Sequence, residues 1–175
     1  MATPQELART IRLLLLDVDG VLSDGRITYD SEGRELKSFH IHDGLGIKLL
    51  QQAGIQVGII TGRISPMVEC RARELGIELV VQGREDKASA MHETIKTLGI
   101  DCTAVAYMGD DLPDLAAIRQ AGLGIAPANA VNIVRQHANL VTTNAGGHGA
   151  VREAAEFILQ AQALLDAVFT RYSQG

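Results

Sequence analysis

Short apolar runs alternate with amphipathic segments along most of the chain. Runs typical of buried strands cover residues 11–16, 55–60, 78–81, 103–108 and 122–125. Helical periodicity covers residues 46–53, 65–75, 87–98, 112–120, 130–136 and a final long segment from about 149 to 169. This alternation predicts an α/β fold with a doubly wound, mainly parallel sheet and helices on both faces.

Glycines follow four of the predicted helices where the chain would turn towards the next strand. They are Gly54, Gly76, Gly99 and Gly122. A glycine at this position commonly ends a helix in the left-handed conformation. We therefore predict a structural role for these glycines.

Residues 26–40 depart from the alternation of strands and helices. Two alternating runs flank the turn-forming segment 30–33, which is typical of a β-hairpin. The sequence thus predicts a single domain over residues 1–175, with a hairpin insertion at 26–40 and a C-terminal helix and tail at 149–175.

The composition favours a compact enzyme. The chain has 175 residues, 46% of them hydrophobic, and a net charge of -5, which fits one domain and disfavours nucleic-acid binding. The apolar run before Asp17 is too short to cross a membrane, so no membrane role is predicted. Two cysteines, Cys70 and Cys102, are too few for a disulfide framework and predict a cytoplasmic protein.

Reactive or phosphate-binding side chains follow four of the predicted strands. They stand in DVDG, GIITGR, QGREDK and GDDLPD, and are Asp17, Asp19, Thr61, Lys87, Asp110, Asp111 and Asp114. Each motif alone could be an ordinary turn or helix start. Because open α/β sheets build their sites at the carboxyl ends of strands, the ordered set predicts one active site.

In these four motifs the chain resembles the haloacid dehalogenase superfamily of phosphohydrolases. The resemblance implies a Rossmann-like hydrolase core with Asp17 as the nucleophile and Asp19 as the general acid and base. It also implies that Thr61 donates its hydroxyl to the phosphate and that Lys87 supplies a fixed positive charge.

Crowded carboxylates at one strand edge require a cation, and Mg²⁺ prefers such oxygen ligands. The resemblance implies Mg²⁺ on Asp17, the Asp19 carbonyl and Asp110. Asp111 and Asp114 are alternatives that would support the metal through water or hydrogen bonds. Asp111 could instead cap the following helix.

A hairpin in place of a cap domain makes the chain most similar to the family of 3-deoxy-D-manno-octulosonate 8-phosphate phosphatases. The similarity extends through GRELKSFHIHDGLGIKLL and NAGGHGAVREAAEFILQAQ. It implies a Mg²⁺-dependent phosphatase of lipopolysaccharide precursor synthesis that acts on this phosphorylated sugar acid. It further implies a homotetramer in which the hairpins pack into a barrel and a neighbour's C-terminal tail can close over the site.

The same resemblance implies a set of substrate-binding residues around the hairpin and the catalytic motifs. They are Asp19, His40, Ile41, His42, Asp43, Gly44, Lys48, Arg63, Arg71 and Lys87. Basic side chains suit a substrate that bears both carboxylate and phosphate. Alternatively, His40 and His42 would lie on the exposed face of an edge strand, and Arg71 would belong to a solvated salt-bridge face of a helix.

Other functions remain open from the sequence. A phosphatase of a nine-carbon sialic-acid-type sugar phosphate would use the same catalytic groups. A non-catalytic binding or scaffold protein could have the same fold, but the complete set of reactive residues argues against it. The chain contains neither GxGxxG nor GxxxxGK[ST], which argues against a nucleotide-binding module.

Overall fold

A computed structural model describes residues 2–173, and eight strands lie within that part of the chain. They are β1 (Leu13–Leu16), β2 (Thr28–Tyr29), β3 (Glu35–Leu36), β4 (Gln56–Ile60), β5 (Leu79–Val81), β6 (Val105–Met108), β7 (Leu123–Ala126) and β8 (Leu140–Val141). Six of them form a parallel sheet in the order β5-β4-β1-β6-β7-β8. The short strand β8 has no counterpart among the predicted strands.

Helices cover both faces of this sheet, as predicted. They are α1 (Pro4–Ala8), α2 (Ile41–Gln52), α3 (Pro66–Leu75), α4 (Lys87–Leu98), α5 (Leu115–Gln120), α6 (Asn132–His137), α7 (Ala150–Ala161) and α8 (Leu165–Ser173). In β1, Leu14 and Leu16 join the core that includes α2, α3 and α7, whereas Leu13 and Leu15 join the core that includes α4, α5 and α6. The α/β, doubly wound fold class is therefore confirmed. Within residues 2–173, no helix combines the length and apolar composition needed to cross a membrane.

Strand β1 lies at the point where the strand order reverses. The chain first continues to β4 on one side of β1 and later to β6 on the other. Leu16, the last residue of β1, pairs with Ile59 in β4 and with Met108 in β6. Residues that follow these three strands therefore meet in one crevice at the sheet's carboxyl edge.

Strands β2 and β3 form the hairpin. They pair antiparallel with Thr28 opposite Leu36, and each is only two residues long. The Asp30 carboxylate closes the turn because it accepts hydrogen bonds of 2.9 Å from the backbone N–H groups of Glu32 and Arg34. The hairpin begins after the β1 loop and leads directly into α2.

The prediction of one continuous C-terminal helix is wrong. Helix α7 ends at Ala161 and α8 begins at Leu165, with Ala163 between them at φ 57°. The side-chain amide of Gln162 donates to the carbonyls of Ala8 and Ile11 at 3.0 and 2.8 Å. These contacts connect the break between α7 and α8 to the N-terminal segment. Residues 174–175 of the predicted tail lie outside the described part of the chain.

Three of the four helix-ending glycines have the predicted left-handed conformation. The φ angles of Gly54, Gly76 and Gly99 are 84°, 68° and 63°. The prediction is wrong for Gly122, where a Cβ would come within 2.2 Å of the Thr103 carbonyl oxygen. Close packing against the turn before β6, rather than a positive φ, requires glycine there.

Candidate active site

The predicted nucleophile, Asp17, directly follows β1 and is buried. Its backbone N–H donates to the Met108 carbonyl at 3.0 Å, which extends the β1–β6 pairing by one residue. The next residues fold back, and the N–H groups of Val21 and Ser23 both donate to the Val18 carbonyl at 3.2 and 2.9 Å. This tight loop fixes the Asp17 carboxylate at the sheet edge.

Lys87, the first residue of α4, lies between two carboxylates. Its ammonium nitrogen is 2.8 Å from Asp17 Oδ2 and 2.7 Å from Asp114 Oδ1. Burial acts against the charged form, but the charges of Asp17 and Asp114 outweigh burial and raise the pKa of Lys87. The side chain therefore stays a cation beside Asp17.

Asp114 is fully buried and accepts four hydrogen bonds. Oδ1 accepts from Lys87 and from the Tyr107 hydroxyl at 2.9 Å, and Oδ2 accepts from the backbone N–H groups of Asp110 and Asp111 at 3.1 and 3.2 Å. Burial raises the pKa of Tyr107, which keeps its hydroxyl a donor. Four hydrogen bonds fill the capacity of a carboxylate, so Asp114 orients its neighbours.

Three acidic side chains crowd this edge of the sheet. Asp17, Asp110 and Asp114 each place a carboxylate oxygen within 4.8 Å of the others. Burial and the Asp114 charge raise the pKa of Asp17 to about 6, and burial and the Asp17 charge raise that of Asp110 to about 7. Because the four hydrogen bonds of Asp114 occupy its oxygens, the carboxylates of Asp17 and Asp110 are the oxygen donors of this group that fit a hard divalent cation such as Mg²⁺.

Asp111 lies at the rim and has a structural contact. Its Oδ1 accepts a 2.7 Å hydrogen bond from the Leu112 N–H at the start of a short 3₁₀ turn, Leu112–Asp114. This contact matches the capping alternative from the sequence. Pro113 also lines the cavity, whereas Leu112 is exposed.

These groups surround a cavity of about 420 Å³. The structure brings together at this cavity the predicted residues Asp17, Asp19, Thr61, Arg63, Lys87, Asp110, Asp111 and Asp114. Thr61 directly follows β4, and its backbone N–H donates to the Val81 carbonyl at 2.9 Å. The strand ends and the start of α4 thus bring a buried carboxylate, a cation, a hydroxyl and further acidic groups to one opening.

Two charged residues of the hairpin segment, Glu35 and Lys37, contact residues of the cavity and were not predicted from the sequence. The Lys37 ammonium pairs with Asp19 Oδ1 and lies 3.6 Å from Glu35 Oε1. Glu35 Oε2 in turn lies 3.0 Å from Arg63 Nη2. The signal in the sequence was the alternation of charged and apolar residues from Glu35 to Lys37, because in an extended segment residues 35 and 37 point to the same side.

The first turn of α2 contains five of the predicted substrate-binding residues. His40 caps the helix, its Nδ1 accepting from the His42 N–H at 3.3 Å, and Ile41 to Gly44 follow inside the helix. The edge-strand alternative for His40 and His42 is therefore wrong. None of the five lines the cavity within the described chain, and their substrate contacts stay a prediction.

Asp43 in this turn has a contact that the sequence did not indicate. Its buried carboxylate accepts from the backbone N–H groups of Gly149 and Arg152 at 3.3 and 2.8 Å. Burial raises the pKa of Asp43, and these two N–H groups oppose that rise. In the single chain Asp43 anchors the start of α7 instead of facing the cavity.

Lys48 and Arg71 also lie away from the cavity of the single chain. The Lys48 ammonium approaches Gly76 at the end of α3. The Arg71 guanidinium stacks over the Phe39 ring at 5.9 Å and pairs with Glu74 at 3.1 Å. The structure thus shows the salt-bridge alternative for Arg71.

The glycine-rich segment before α7 packs against the loop that follows Asp17. The Asn129 amide donates to the Gly20 carbonyl at 3.1 Å and accepts from the Gly146 N–H at 2.6 Å. The Gly147 N–H donates to the Val21 carbonyl at 2.9 Å. A side chain at Gly146 would overlap the Gly20 carbonyl, so glycine is required for this contact.

Comparison with known proteins shows which family the chain is similar to. Residues 76–153 match the model of the haloacid dehalogenase-like hydrolase family. The 3-deoxy-D-manno-octulosonate 8-phosphate phosphatase of Yersinia pestis is 47% identical over 159 residues, which cover 91% of this chain and 85% of that protein. The corresponding protein of Haemophilus influenzae is 42% identical and covers 90% of this chain and 88% of its own.

Solved structures match over nearly the whole chain. The Moraxella catarrhalis phosphatase of the same name, in complex with magnesium, phosphate and 3-deoxy-D-manno-octulosonate (KDO), is 49% identical with a TM-score of 0.95, covering 97% of each chain. A cobalt-bound Haemophilus influenzae structure is 41% identical with a TM-score of 0.89, covering 92% of this chain and 94% of that one. On these similarities the chain belongs to the 3-deoxy-D-manno-octulosonate 8-phosphate phosphatase family of haloacid dehalogenase-like hydrolases.

Proposed function

We propose that the protein is a Mg²⁺-dependent phosphatase that converts 3-deoxy-D-manno-octulosonate 8-phosphate to 3-deoxy-D-manno-octulosonate and inorganic phosphate, in lipopolysaccharide precursor synthesis. The observation that carries this proposal is the buried Asp17–Lys87 pair at the switch point of the sheet, beside Thr61 and Asp110. Such a site supplies a carboxylate nucleophile with fixed positive charge around a transferred phosphoryl group.

In the first half-reaction, a carboxylate oxygen of Asp17 attacks phosphorus and the bond to the sugar oxygen breaks. Asp19 gives its proton to that leaving oxygen, which becomes the hydroxyl of the sugar acid. Lys87 and the Thr61 hydroxyl stabilise the negative charge on the phosphoryl oxygens. An aspartyl phosphate on Asp17 remains.

In the second half-reaction, the Asp19 carboxylate takes a proton from water as the water oxygen attacks phosphorus. The bond to Asp17 breaks, inorganic phosphate leaves, and Asp19 is again protonated. Asp17, Asp110 and the Asp19 carbonyl would hold Mg²⁺, while Asp114 fixes the turn that carries Asp110. When bound, Mg²⁺ neutralises charge on the phosphoryl oxygens.

Substrate recognition extends beyond the strand ends. Arg63 lies in the cavity wall, 40% exposed, and its charge suits the substrate's anionic groups. We propose that the protein is a homotetramer and that the residues predicted around α2 act through contacts between subunits. The exposed apolar side chains of the hairpin, Ile27, Tyr29 and Leu36, support such an assembly.

The cytoplasmic location stays a proposal. It is supported by the two cysteines, since Cys70 is an exposed free thiol and Cys102 donates to the Gln120 carbonyl.

Phosphate release from a substrate panel tests the proposal. The panel contains the octulosonate 8-phosphate, a nine-carbon sialic-acid-type phosphate and hexose phosphates, each with Mg²⁺ or EDTA. We expect release from the octulosonate ester to dominate and to fall to background in EDTA. Asp17→Asn should abolish turnover without unfolding the protein, because the amide cannot attack phosphorus.

Each other outcome would change the conclusion. Preferred hydrolysis of the nine-carbon ester would assign the chain to that substrate class. Substantial activity of Asp17→Asn would contradict the covalent mechanism. No release from any ester would favour a non-catalytic role.

A further inference from the structure

The segment from Glu35 to Lys37, which begins in β3, has two faces of opposite character. Leu36 is 55% exposed, whereas the Lys37 side chain is 2% exposed and that of Glu35 is 18% exposed. The hairpin segment therefore directs two charged groups inwards, where Lys37 pairs with Asp19 and Glu35 pairs with Arg63. Asp19 and Arg63 both line the cavity.

Lys37 contacts one carboxylate oxygen of Asp19, the proposed general acid and base. Its ammonium pairs with Asp19 Oδ1, the oxygen that also lies 3.5 Å from the Ser23 hydroxyl. Because these contacts hold Oδ1, proton exchange with the leaving oxygen falls to Oδ2. The pair thus determines which oxygen of Asp19 faces the reaction.

Glu35 completes the arrangement. Its Oε1 lies 3.6 Å from the Lys37 ammonium, and its Oε2 lies 3.0 Å from Arg63 Nη2. A buried ammonium requires such partners, since an unpaired charge away from water is strongly unfavourable. Glu35 thereby connects the group that holds Asp19 to an arginine of the cavity wall.

We propose that Lys37 is the positioning residue of Asp19, so that the hairpin takes part in leaving-group protonation as well as covering the site. This inference rests on the proposed phosphatase function. The role of Lys37 is specific to the step in which Asp19 protonates the leaving oxygen. A leaving group that departs readily as an anion has little need of that proton, and therefore of Lys37.

Two phosphate esters separate a positioning role from a general structural one. The first is an alkyl ester that the wild type hydrolyses, and the second is 4-nitrophenyl phosphate, whose leaving group departs without a proton. We expect Lys37→Met to lower kcat/KM by about 100-fold on the alkyl ester but by less than about 3-fold on the aryl ester. The control is Arg26→Met, which removes an exposed cation of the same hairpin segment and should leave both values unchanged.

A double-mutant cycle tests whether Lys37 acts through Asp19. In the Asp19→Asn background, Lys37→Met should change kcat/KM on the alkyl ester by less than about 3-fold. Lys37→Arg, which keeps the charge, should recover much of the alkyl-ester activity. If Lys37→Met fails to fold, Lys37→Gln serves for the same comparisons, and its losses must favour the alkyl ester in the same way.

Equal losses on the two esters, no loss on either, or full additivity with Asp19→Asn would each overturn the inference. The wild type decides the proposed function separately. If it hydrolyses other alkyl esters but not the octulosonate ester, the substrate assignment fails while the Lys37 comparison still applies. If the wild type hydrolyses no ester, both proposals are wrong.

Discussion

One buried carboxylate, that of Asp114, joins three parts of the active site. It contacts the Lys87 ammonium, the Tyr107 hydroxyl and the backbone of residues 110–111. An asparagine could not accept all four of these hydrogen bonds, because its amide nitrogen is a donor. Asp114 therefore fixes the positions of the Lys87 ammonium and of the acidic turn around Asp17.

Without Mg²⁺, the free energy of unfolding should fall as the pH rises from about 4 to about 7. Asp17 and Asp110 have raised folded-state pKa values of about 6 and about 7, above the ordinary aspartate value of about 3.9. The folded protein thus binds more protons in this window. Stability from these groups is complete below the unfolded pKa and is lost as the pH rises through the folded values.

Urea denaturation in EDTA across this pH range measures the effect. The Asp110→Asn variant should show a shallower pH dependence than the wild type, since it removes one raised pKa and a charge that faces Asp17. Adding Mg²⁺ should flatten the wild-type curve, because the cation replaces the protons. Parallel curves for wild type and variant in EDTA would contradict this interpretation.

Among the elements, α7 depends on a side chain from α2. Asp43 accepts hydrogen bonds from two backbone N–H groups at the start of α7. Asp43→Ala should lower the free energy of unfolding by about 1–3 kcal/mol, because it leaves buried donors unpaired. Urea denaturation measures the loss, with the exposed Asp166 in the first turn of α8 as the matched site. An equal, small effect of Asp43→Ala and Asp166→Ala would show that the contact contributes little.

The sequence predicted the elements whose pattern is local. Short apolar runs predicted the strands that precede Asp17, Thr61 and Asp110. Because these strands are parallel, the three residues were expected at one edge of the sheet. The start of α2 at Ile41 and the break at Ala163 were missed, because distant partners help to fix both. Asp43 bonds to residues more than 100 positions away, and Gln162 reaches the N-terminal segment.

The same limit applies to Lys37. In the sequence it is one more lysine of a charged hairpin, and a solvated position is the usual fate of such a residue. Only the folded chain brings the hairpin back over the β1 loop and buries the ammonium against Asp19. Motif order was enough to predict that Asp17, Thr61 and Lys87 lie at one cavity, whereas the contact of Lys37 with Asp19 depends on the fold of the hairpin.

At the scale of the whole molecule, the outer face of the hairpin should govern assembly. Leu36→Asp would place a charge in a surface that we propose to be covered by another subunit, and burying that charge is unfavourable. Light scattering should show a shift from tetramer to smaller species, whereas Glu32→Ala at the exposed turn should leave the mass unchanged. A wild type that is already monomeric, or a Leu36→Asp variant of unchanged mass, would contradict the proposed homotetramer.

The alternation of Glu35, Leu36 and Lys37 also constrains how the hairpin can evolve. A slip of β3 by one residue would turn Leu36 towards Asp19 and expose both charged neighbours, since successive side chains point to opposite faces. A single-residue insertion or deletion that shifted the register would therefore disturb both faces of the hairpin in one event. Substitution of the exposed Glu32 is compatible with this constraint, but a change in the length of the turn 30–33 by one residue is not, unless the register is restored elsewhere.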